Sequence, residues 1–246
     1  MKAESMEAGL LGAGEIISAT WRLYRRNWEV LVGIVACLFL PITIVGTTLE
    51  VLDLQGISLA WSAVSAILGC LMAIALITAV HWVWQGWDIT IAEAYRVAPS
   101  RLWPYLCATV LASLAISVGT LLFIIPGLVF SVWFAFVAYV VVIEGIRGVS
   151  ALSRSKKLVA GRWWAVCWRL VTPIFCYTLL YIAAFLAVAI ILYGVLRSAA
   201  GQFSRLSDRV LPILWRSSAM AIVGTFALPI FTIVGFIVYE NLKEGR

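Results

Sequence analysis

Charged residues are scarce in this sequence: they make up 12% of its 246 residues, whereas hydrophobic residues make up 63%. The mean hydropathy is correspondingly high, at +1.04. A soluble globule needs more polar surface than this composition supplies. The composition therefore excludes a soluble enzyme or binding domain and indicates an integral membrane protein.

Histidine and paired cysteines are also in short supply. The only histidine is His81, and the five cysteines include no C-x-x-C pair. An odd number of cysteines scattered through apolar segments forms neither a disulfide framework nor a metal site. Phosphate loops, dinucleotide fingerprints and nucleophile elbows are absent as well. We therefore expect a protein without a metal, a cofactor or an enzymatic activity.

Six apolar windows are long enough to cross a membrane, because about 30 Å of hydrocarbon requires roughly 20 residues of helix. The alternation with a period of two that is typical of membrane barrels is missing, so the backbone must satisfy its hydrogen bonds within helices. We predict an all-α, polytopic protein with one membrane domain over residues 1–246. The predicted spans are 28–49, 59–84, 102–123, 125–144, 166–196 and 213–239.

Lysine and arginine fall mainly on one side of these spans. All but four of the 18, namely Arg197, Arg205, Arg209 and Arg216, lie on the side of the N-terminus. Cytoplasmic loops keep positive charge during insertion, so this is predicted to be a multi-pass protein of the cell membrane with both termini in the cytoplasm. The formal net charge of +6 then needs no nucleic acid as a partner.

The densest basic stretch joins the fourth and fifth spans. It contains Arg147, Arg154, Lys156 and Lys157. A basic loop next to a membrane attracts anionic lipid headgroups, by about 1 kcal/mol for each residue near the surface. We therefore predict that membrane lipids, including anionic ones, are partners of this loop.

One predicted outer segment is amphipathic. Between Gln202 and Leu211, the apolar residues Phe203, Leu206 and Val210 recur at helical spacing. This spacing predicts a short interfacial helix over 202–211, lying flat on the outer surface. An ordinary anchored loop and a lid over an outward-facing cavity are the alternatives.

Three segments on the cytoplasmic side repeat one pattern. They are IISATWRLYRRNW from Ile16, IAEAYRVAPSRLW from Ile91, and LSRSKKLVAGRW with Trp164 from Leu152. Each ends in Arg-x-Trp, in the pairs Arg26 and Trp28, Arg101 and Trp103, and Arg162 and Trp164. A guanidinium that reaches phosphate and an indole at headgroup depth together form a lipid anchor. We therefore predict three helical hairpins, each preceded by a cytoplasmic amphipathic segment.

Each even-numbered span has a polar residue at its inner end: Gln85, Glu144 or Glu240, with His81 one turn before Gln85. Polar groups in hydrocarbon are costly, so each is a functional candidate. In the structural interpretation, Glu144 braces the inner loop by pairing with Arg147 or with an arginine of another repeat. In the functional interpretation, the four residues line a cytoplasmic vestibule, with a proton relay at His81 as a further alternative.

The run IIPGLVFSVWFAFVAYVVVIEGIRGVSALSRSKKLVAGRWW, Ile124–Trp164, contains a tight IPG turn at Ile125–Gly127, an EG pair at Glu144 and a basic loop ending in two tryptophans. It resembles the membrane domain associated with bacterial glycerophosphoryl diester phosphodiesterases, and related uncharacterised six-span families. In that family the membrane domain occurs with or without the hydrolase. This chain has no barrel-length soluble segment, so the resemblance implies a membrane domain and not an activity.

Two functional classes remain. The first is a non-catalytic membrane protein that organises lipids, partner proteins or a second copy of itself at the cytoplasmic face. The second is a small transporter or channel with a pathway between the three hairpins, which predicts a water-accessible cavity reaching the bilayer midplane. Transporters usually place ionisable residues at mid-depth, and their scarcity here favours the first class.

Overall fold

The computed structural model describes residues 11–200 and 207–244, and all regular structure in these ranges is helical. The α-helices in chain order are α1 (Ala13–Val51), α2 (Gln55–Trp84), α3 (Ile91–Leu122), α4 (Ile124–Phe134), α5 (Val137–Tyr139), α6 (Gly148–Val159), α7 (Trp163–Ala200) and α8 (Ser207–Glu244). A π-helix, Val140–Glu144, follows α5. In the described ranges, six helical segments are long and apolar enough to span a membrane. The predicted all-α, six-span fold is confirmed.

Successive spans pack as antiparallel pairs: α1 on α2, α3 on α4, and α7 on α8. Helix α8 also packs along α1, which places it near the centre of the bundle. In its most apolar window 56% of the residues are buried, compared with 6% in α7. Helix α7 is therefore the span with the largest share of its surface available to lipid.

We call the end of the bundle at which α1 begins and α8 ends the basic end, and the other the opposite end. At the basic end, hydrogen bonds tie Leu11 and the first turns of α1 to α7 and α8. The amide of Leu11 donates to Asn241 Oδ1 at 3.1 Å, and Arg169 Nε donates to the Leu11 carbonyl at 2.7 Å. The hydroxyl of Tyr177 donates to the Ile17 carbonyl at 3.1 Å. The first helix is thereby held against the last two.

The hydrophobic core is concentrated in the half of the bundle nearer the basic end. Every residue from Ile74 to Val80 in α2 is buried, as is every residue from Phe236 to Glu240 in α8. Continuous burial on all faces means that protein surrounds α2 over about two turns and α8 over more than one turn. Along these stretches α2 and α8 are therefore enclosed by packed side chains.

The fourth span differs from the single regular helix predicted over 125–144, because it is divided into α4, α5 and the π-helix. The π-helix begins with three consecutive valines, and β-branched side chains crowd a regular helical turn. Arg101 Nη1 donates to the Val141 carbonyl within it, at 3.3 Å. Gly145 ends the segment with φ of 73°, a left-handed conformation that favours glycine.

The turn between the third and fourth spans lies earlier than the IPG motif predicted. Phe123 is the single non-helical residue between α3 and α4, with φ −159° and ψ 147°. Pro126 therefore lies in the first turn of α4, where its missing N–H leaves no intrahelical bond unmade. Gly127 allows close packing instead, since an added Cβ would lie 2.8 Å from the Cα of Thr120.

The three amphipathic segments join their spans in three different ways. The first continues into α1 with a kink at Asn27, whose φ is −130° and ψ 24°. The second continues into α3 even though Pro99 lies within it. The third is the separate helix α6, which ends near Gly161, where φ is 80°. Each hairpin is thus preceded by an amphipathic segment, and only the third segment forms a helix separate from its span.

The interfacial helix predicted over 202–211 is not a separate element where the structure describes it. Residues 202–206 lie outside the described residues, and residues 207–211 form the start of α8. Leu211 is buried, so it belongs to the packed face of α8. The described part of the segment therefore begins α8, and a helix lying flat on the outer surface stays a prediction.

Candidate functional site

Seven polar side chains from α2, the π-helix, α6 and α8 meet at the basic end. We call them the polar cluster: His81, Gln85, Glu144, Arg154, Tyr239, Glu240 and Lys243. The structure thus brings together all four of the inner-end residues singled out in the sequence. They lie in two groups, which meet at the adjacent residues Tyr239 and Glu240.

The first group is centred on Glu144. Arg154 Nε donates to its Oε2 at 2.9 Å and Nη2 to its Oε1 at 3.2 Å, while the Tyr239 hydroxyl donates to Oε1 at 2.7 Å. These contacts with Glu144 raise the pKa of the Arg154 guanidinium. The arginine that braces Glu144 is therefore Arg154, and Arg147 is exposed.

The second group is centred on Glu240, which is 7% exposed. Its Oε1 lies 3.9 Å from His81 Nδ1 and 3.7 Å from Lys243 Nζ. Gln85 Nε2 lies 3.0 Å from His81 Nε2. Lys243 is on the same helix as Glu240 and compensates the charge of its carboxylate, while His81 brings the end of α2 beside α8.

The three Arg-x-Trp pairs are less alike in the structure than in the sequence. Trp28, Trp103 and Trp164 are exposed by 47%, 75% and 79%. Arg26 and Arg162 are exposed as well. Arg101 departs from the anchor pattern, because its guanidinium lies over Gly145, with Nη1 2.8 Å from the position of an added Cβ. This arginine ties α3 to the end of the fourth span.

Helix α6 holds the basic loop in one orientation. Its Ser155 hydroxyl donates to the Trp133 carbonyl at 2.6 Å, and Leu158 and Val159 are buried. This packing leaves Lys156 and Lys157 exposed. Lys156 Nζ lies 4.3 Å from the centroid of the Trp133 ring, a cation–π contact. The loop therefore presents cations to its surroundings from a fixed helix.

A cavity of about 790 Å³ lies at the opposite end, between the end of α1 and the starts of α2 and α8. Hydroxyl side chains recur along its walls, and we call it the hydroxyl-lined cavity. The hydroxyl residues are Thr43, Thr47, Ser58, Ser62, Ser65 and Ser217. The ionic residues are Glu50 and Asp53, from α1 and the following turn, and Arg216, from α8.

The hydroxyl-lined cavity extends deep along α1. Its lining runs from Leu54 back to Phe39. At a rise of about 1.5 Å per residue, Phe39 lies roughly 18 Å along the helix from Val51. Since the hydrocarbon core is about 30 Å thick, this depth corresponds to about the bilayer midplane. The cavity therefore lies within the membrane-spanning part of the bundle, with hydroxyl groups along walls that are otherwise mostly apolar.

No family model, curated protein or solved structure matches this chain. In the described part of the chain, no three His, Cys, Asp or Glu side chains lie close enough together to hold a metal ion. Among the described residues, polar groups converge at the polar cluster and at the hydroxyl-lined cavity.

Tyr239, Lys243 and the lining of the cavity were not predicted as site residues from the sequence. The signal for the cavity was present in the spacing of hydroxyl residues. Thr43 and Thr47 are four residues apart in α1, and Ser58, Ser62 and Ser65 follow at intervals of four and three in α2. Residues at this spacing share one helix face. Serine and threonine lower the mean hydropathy of a window only slightly. The spans can therefore be recognised from hydropathy, whereas their hydroxyl-bearing faces cannot.

Proposed function

We propose that this chain is a non-catalytic integral membrane protein that organises anionic lipids or partner proteins at the basic end, which faces the cytoplasm. The observation that carries the proposal is the exposure of tryptophans and cations together at this end. Besides the three anchor tryptophans, Trp87 and Trp168 are exposed by 66% and 69%. Indoles at headgroup depth beside cations suit a surface that collects anionic lipid.

The tight packing of α2 and α8 near the basic end favours a function at the protein surface, because it leaves no open pathway along these two helices. The polar cluster joins α2, α6 and α8 through carboxylates that each have a cation beside them. Behind it lies the continuously buried stretch of α2 from Ile74 to Val80. Ligands that arrive from the cytoplasm would therefore meet the exposed basic surface first.

The location proposed for the protein is a bacterial inner membrane, with multiple spans and both termini in the cytoplasm. The distribution of lysine and arginine supports this orientation, because positive charge is retained in short cytoplasmic loops. The resemblance of residues 124–164 to the phosphodiesterase-associated membrane domain supports a bacterial membrane protein. Membership of this chain in that membrane-domain family is itself part of the proposal.

The proposal is tested by measuring lipid binding in native mass spectrometry of the detergent-solubilised protein. The test variant combines Arg26→Gln and Arg162→Gln, which removes two exposed anchor cations. Each is worth on the order of 1 kcal/mol, so affinity for phosphatidylglycerol is expected to fall roughly tenfold to thirtyfold. Phosphatidylcholine binding should be unchanged.

The matched control is Arg216→Gln, which removes one cation from the opposite end. Arg216 is paired with Glu50 on an exposed surface, and such pairs contribute little to stability. This control should keep the affinity of the unmodified protein for phosphatidylglycerol. The lipid-organising proposal would be wrong if the unmodified protein bound phosphatidylglycerol no more tightly than phosphatidylcholine, and if the double variant gave the same two affinities.

A small transporter or channel is the second candidate, and the hydroxyl-lined cavity favours it. A pathway between the hairpins requires polar space at the bilayer midplane, and this cavity extends to about that depth from the opposite end. Alternating access would then open the packed half near the basic end, and the polar cluster would act as the inner gate. Transport requires that opening, whereas surface binding does not.

A further inference from the structure

We propose that a groove between α1, α7 and α8 binds one anionic glycerophospholipid, with an acyl chain along its apolar walls and the ester and phosphate oxygens at the end nearer the basic end. The inference rests on the proposed function, because it locates one of the lipids that the basic end is proposed to organise. We call this groove the tyrosine groove, after Tyr24, Tyr177 and Tyr181, which line it. Its shape, its unused hydrogen-bond donors and the cations beside it carry the proposal.

One face of α7 and one face of α8 form the walls of the tyrosine groove. On α7 the lining includes Tyr177, Tyr181, Ala184 and Val188, at intervals of four, three and four residues. This spacing places them on a single helix face. At a rise of about 1.5 Å per residue, the wall extends roughly 16 Å from Tyr177 to Val188. One leaflet is half of a hydrocarbon core about 30 Å thick, so the groove has the length of an acyl chain within its leaflet.

The walls away from the basic end are apolar and open to the side of the bundle. The groove has a volume of about 340 Å³, and Leu180 of α7 and Ile222 and Phe226 of α8 are exposed along it. These residues belong to membrane spans, so the groove opens towards lipid. An apolar chain that enters from the bilayer therefore matches this part of the groove.

Hydrogen-bond donors collect at the other end of the groove. The Tyr177 hydroxyl is already used, because it donates to the Ile17 carbonyl at 3.1 Å. In the part of the chain that the structure describes, the hydroxyls of Tyr24 and Tyr181 and the indole N–H of Trp21 make no hydrogen bond, although all three residues line the groove. A donor without an acceptor in apolar surroundings is costly. Ester carbonyl and phosphodiester oxygens are acceptors, so a glycerophospholipid satisfies these donors.

Ring contacts hold the three donors in place. The rings of Trp21 and Tyr24 stack with their centroids 6.0 Å apart, and Tyr181 stacks on Phe185 at 6.4 Å. Side chains that are already ordered lose little rotamer freedom when a ligand binds. The donor end of the groove is therefore preorganised for a ligand with acceptor oxygens.

Two cations lie beside the donors and select the headgroup. Arg22 and Arg25 neighbour Trp21 and Tyr24 in α1, and both arginines are exposed. Arg25 is four residues after Trp21, so the two share a helix face. Among the described residues, neither arginine forms an ion pair with a carboxylate, including Glu29, one turn after Arg25. A guanidinium suits phosphate, and an anionic lipid has no headgroup cation of its own to oppose it.

The experiment uses the full chain in nanodiscs of phosphatidylcholine that contain a trace of phosphatidylglycerol with a photoactivatable diazirine in one acyl chain. After illumination, the labelled residues are mapped by mass spectrometry. We expect the label to concentrate in residues 177–188 and 222–231 and to be displaced by unlabelled phosphatidylglycerol. Phosphatidylcholine with the same diazirine should label these residues less.

Two groove variants and two matched controls locate the site. Tyr24→Phe combined with Tyr181→Phe removes two donors and keeps both rings, so the affinity for phosphatidylglycerol in native mass spectrometry should fall about tenfold. Ala184→Phe fills the groove and should reduce its labelling at least tenfold. Ala183→Phe adds the same ring at an exposed position of α7 outside the lining, and Tyr105→Phe removes a hydroxyl from α3. Neither control should change binding or labelling.

Concentrated labelling that is lost in the groove variants and kept in the controls supports the proposal. Labelling spread evenly over the lipid-facing surfaces of α3 and α7 would overturn it, and so would equal losses in Ala183→Phe and Ala184→Phe. A preference for phosphatidylglycerol that persists in both groove variants would overturn this inference and leave the proposed function standing. The absence of that preference in the unmodified protein would overturn both.

Discussion

Glu144 holds the inner ends of three helical segments together through its two carboxylate oxygens. It accepts hydrogen bonds from Arg154 on α6 and from Tyr239 on α8, while its own backbone ends the fourth span. Its side chain is 16% exposed and that of Arg154 is 31% exposed. A partly buried pair of this kind is costly to break from one side, because the remaining charge loses its partner.

We expect Glu144→Ala to destabilise the protein by roughly 1–3 kcal/mol, since it leaves the guanidinium of Arg154 and the hydroxyl of Tyr239 without their shared acceptor. Tyr239→Phe removes one hydrogen bond and should cost about 1 kcal/mol. The measurement is the denaturant dependence of helix content in detergent micelles, where unfolding of the two variants and of the unmodified protein is compared.

The control for this prediction is Arg147→Ala, in the same loop and exposed. It should change stability by no more than about 0.5 kcal/mol, as is usual for surface substitutions. If Arg147→Ala is as damaging as Glu144→Ala, the assignment of Arg154 as the bracing residue is wrong. A double-variant cycle between Glu144 and Arg154 would measure their coupling directly.

Individual elements were predictable to different degrees, for physical reasons. The six spans follow from hydropathy, because the thickness of a bilayer requires long apolar helices and little else. The polar ends Gln85, Glu144 and Glu240 follow from the same pattern. The pairing of Glu144 with Arg154 depends on which face of α6 packs against the bundle, and a basic loop with four cations does not reveal that. The carbonyl of Val141 in the π-helix accepts a hydrogen bond from Arg101, a partner 40 residues away that the local sequence does not reveal.

The α3–α4 hairpin allows a test of close helix packing. Gly127→Ala would place a methyl group 2.8 Å from the backbone Cα of Thr120, which cannot rotate away. We expect it to force the two helices apart and to destabilise the protein by about 1–3 kcal/mol. The same denaturation measurement applies.

The matched substitution is Gly69→Ala in the middle of α2, where an added Cβ would meet nothing within 4 Å. Alanine has a better helix propensity than glycine, so this variant should be neutral or stabilising, by up to about 1 kcal/mol. Similar destabilisation by the two variants would mean that α3 and α4 are not in close contact at Gly127.

At the scale of the whole molecule, the two ends of the bundle have different roles because their side chains differ in packing. Near the basic end, α2 and α8 are buried on all faces and closed by paired charges. At the opposite end, the same helices diverge around the hydroxyl-lined cavity. Water can enter a cavity that has polar groups on its walls, whereas packed apolar side chains exclude it. The structure therefore predicts that water reaches about half the depth of the membrane from the opposite end and not from the basic end.

This asymmetry is tested with single cysteines in a variant whose five native cysteines are replaced, probed in intact membranes by a membrane-impermeant maleimide. Thr47→Cys lies in the cavity and should react from the outside. Thr78→Cys, at a position only 6% exposed, should be unreactive from both sides, and so should the lipid-facing control Leu186→Cys, because thiolate formation needs water. Labelling of Thr78→Cys from the cytoplasmic side would reveal an opening through the packed half. Transport would then replace surface binding as the function to pursue, with the polar cluster as its gate.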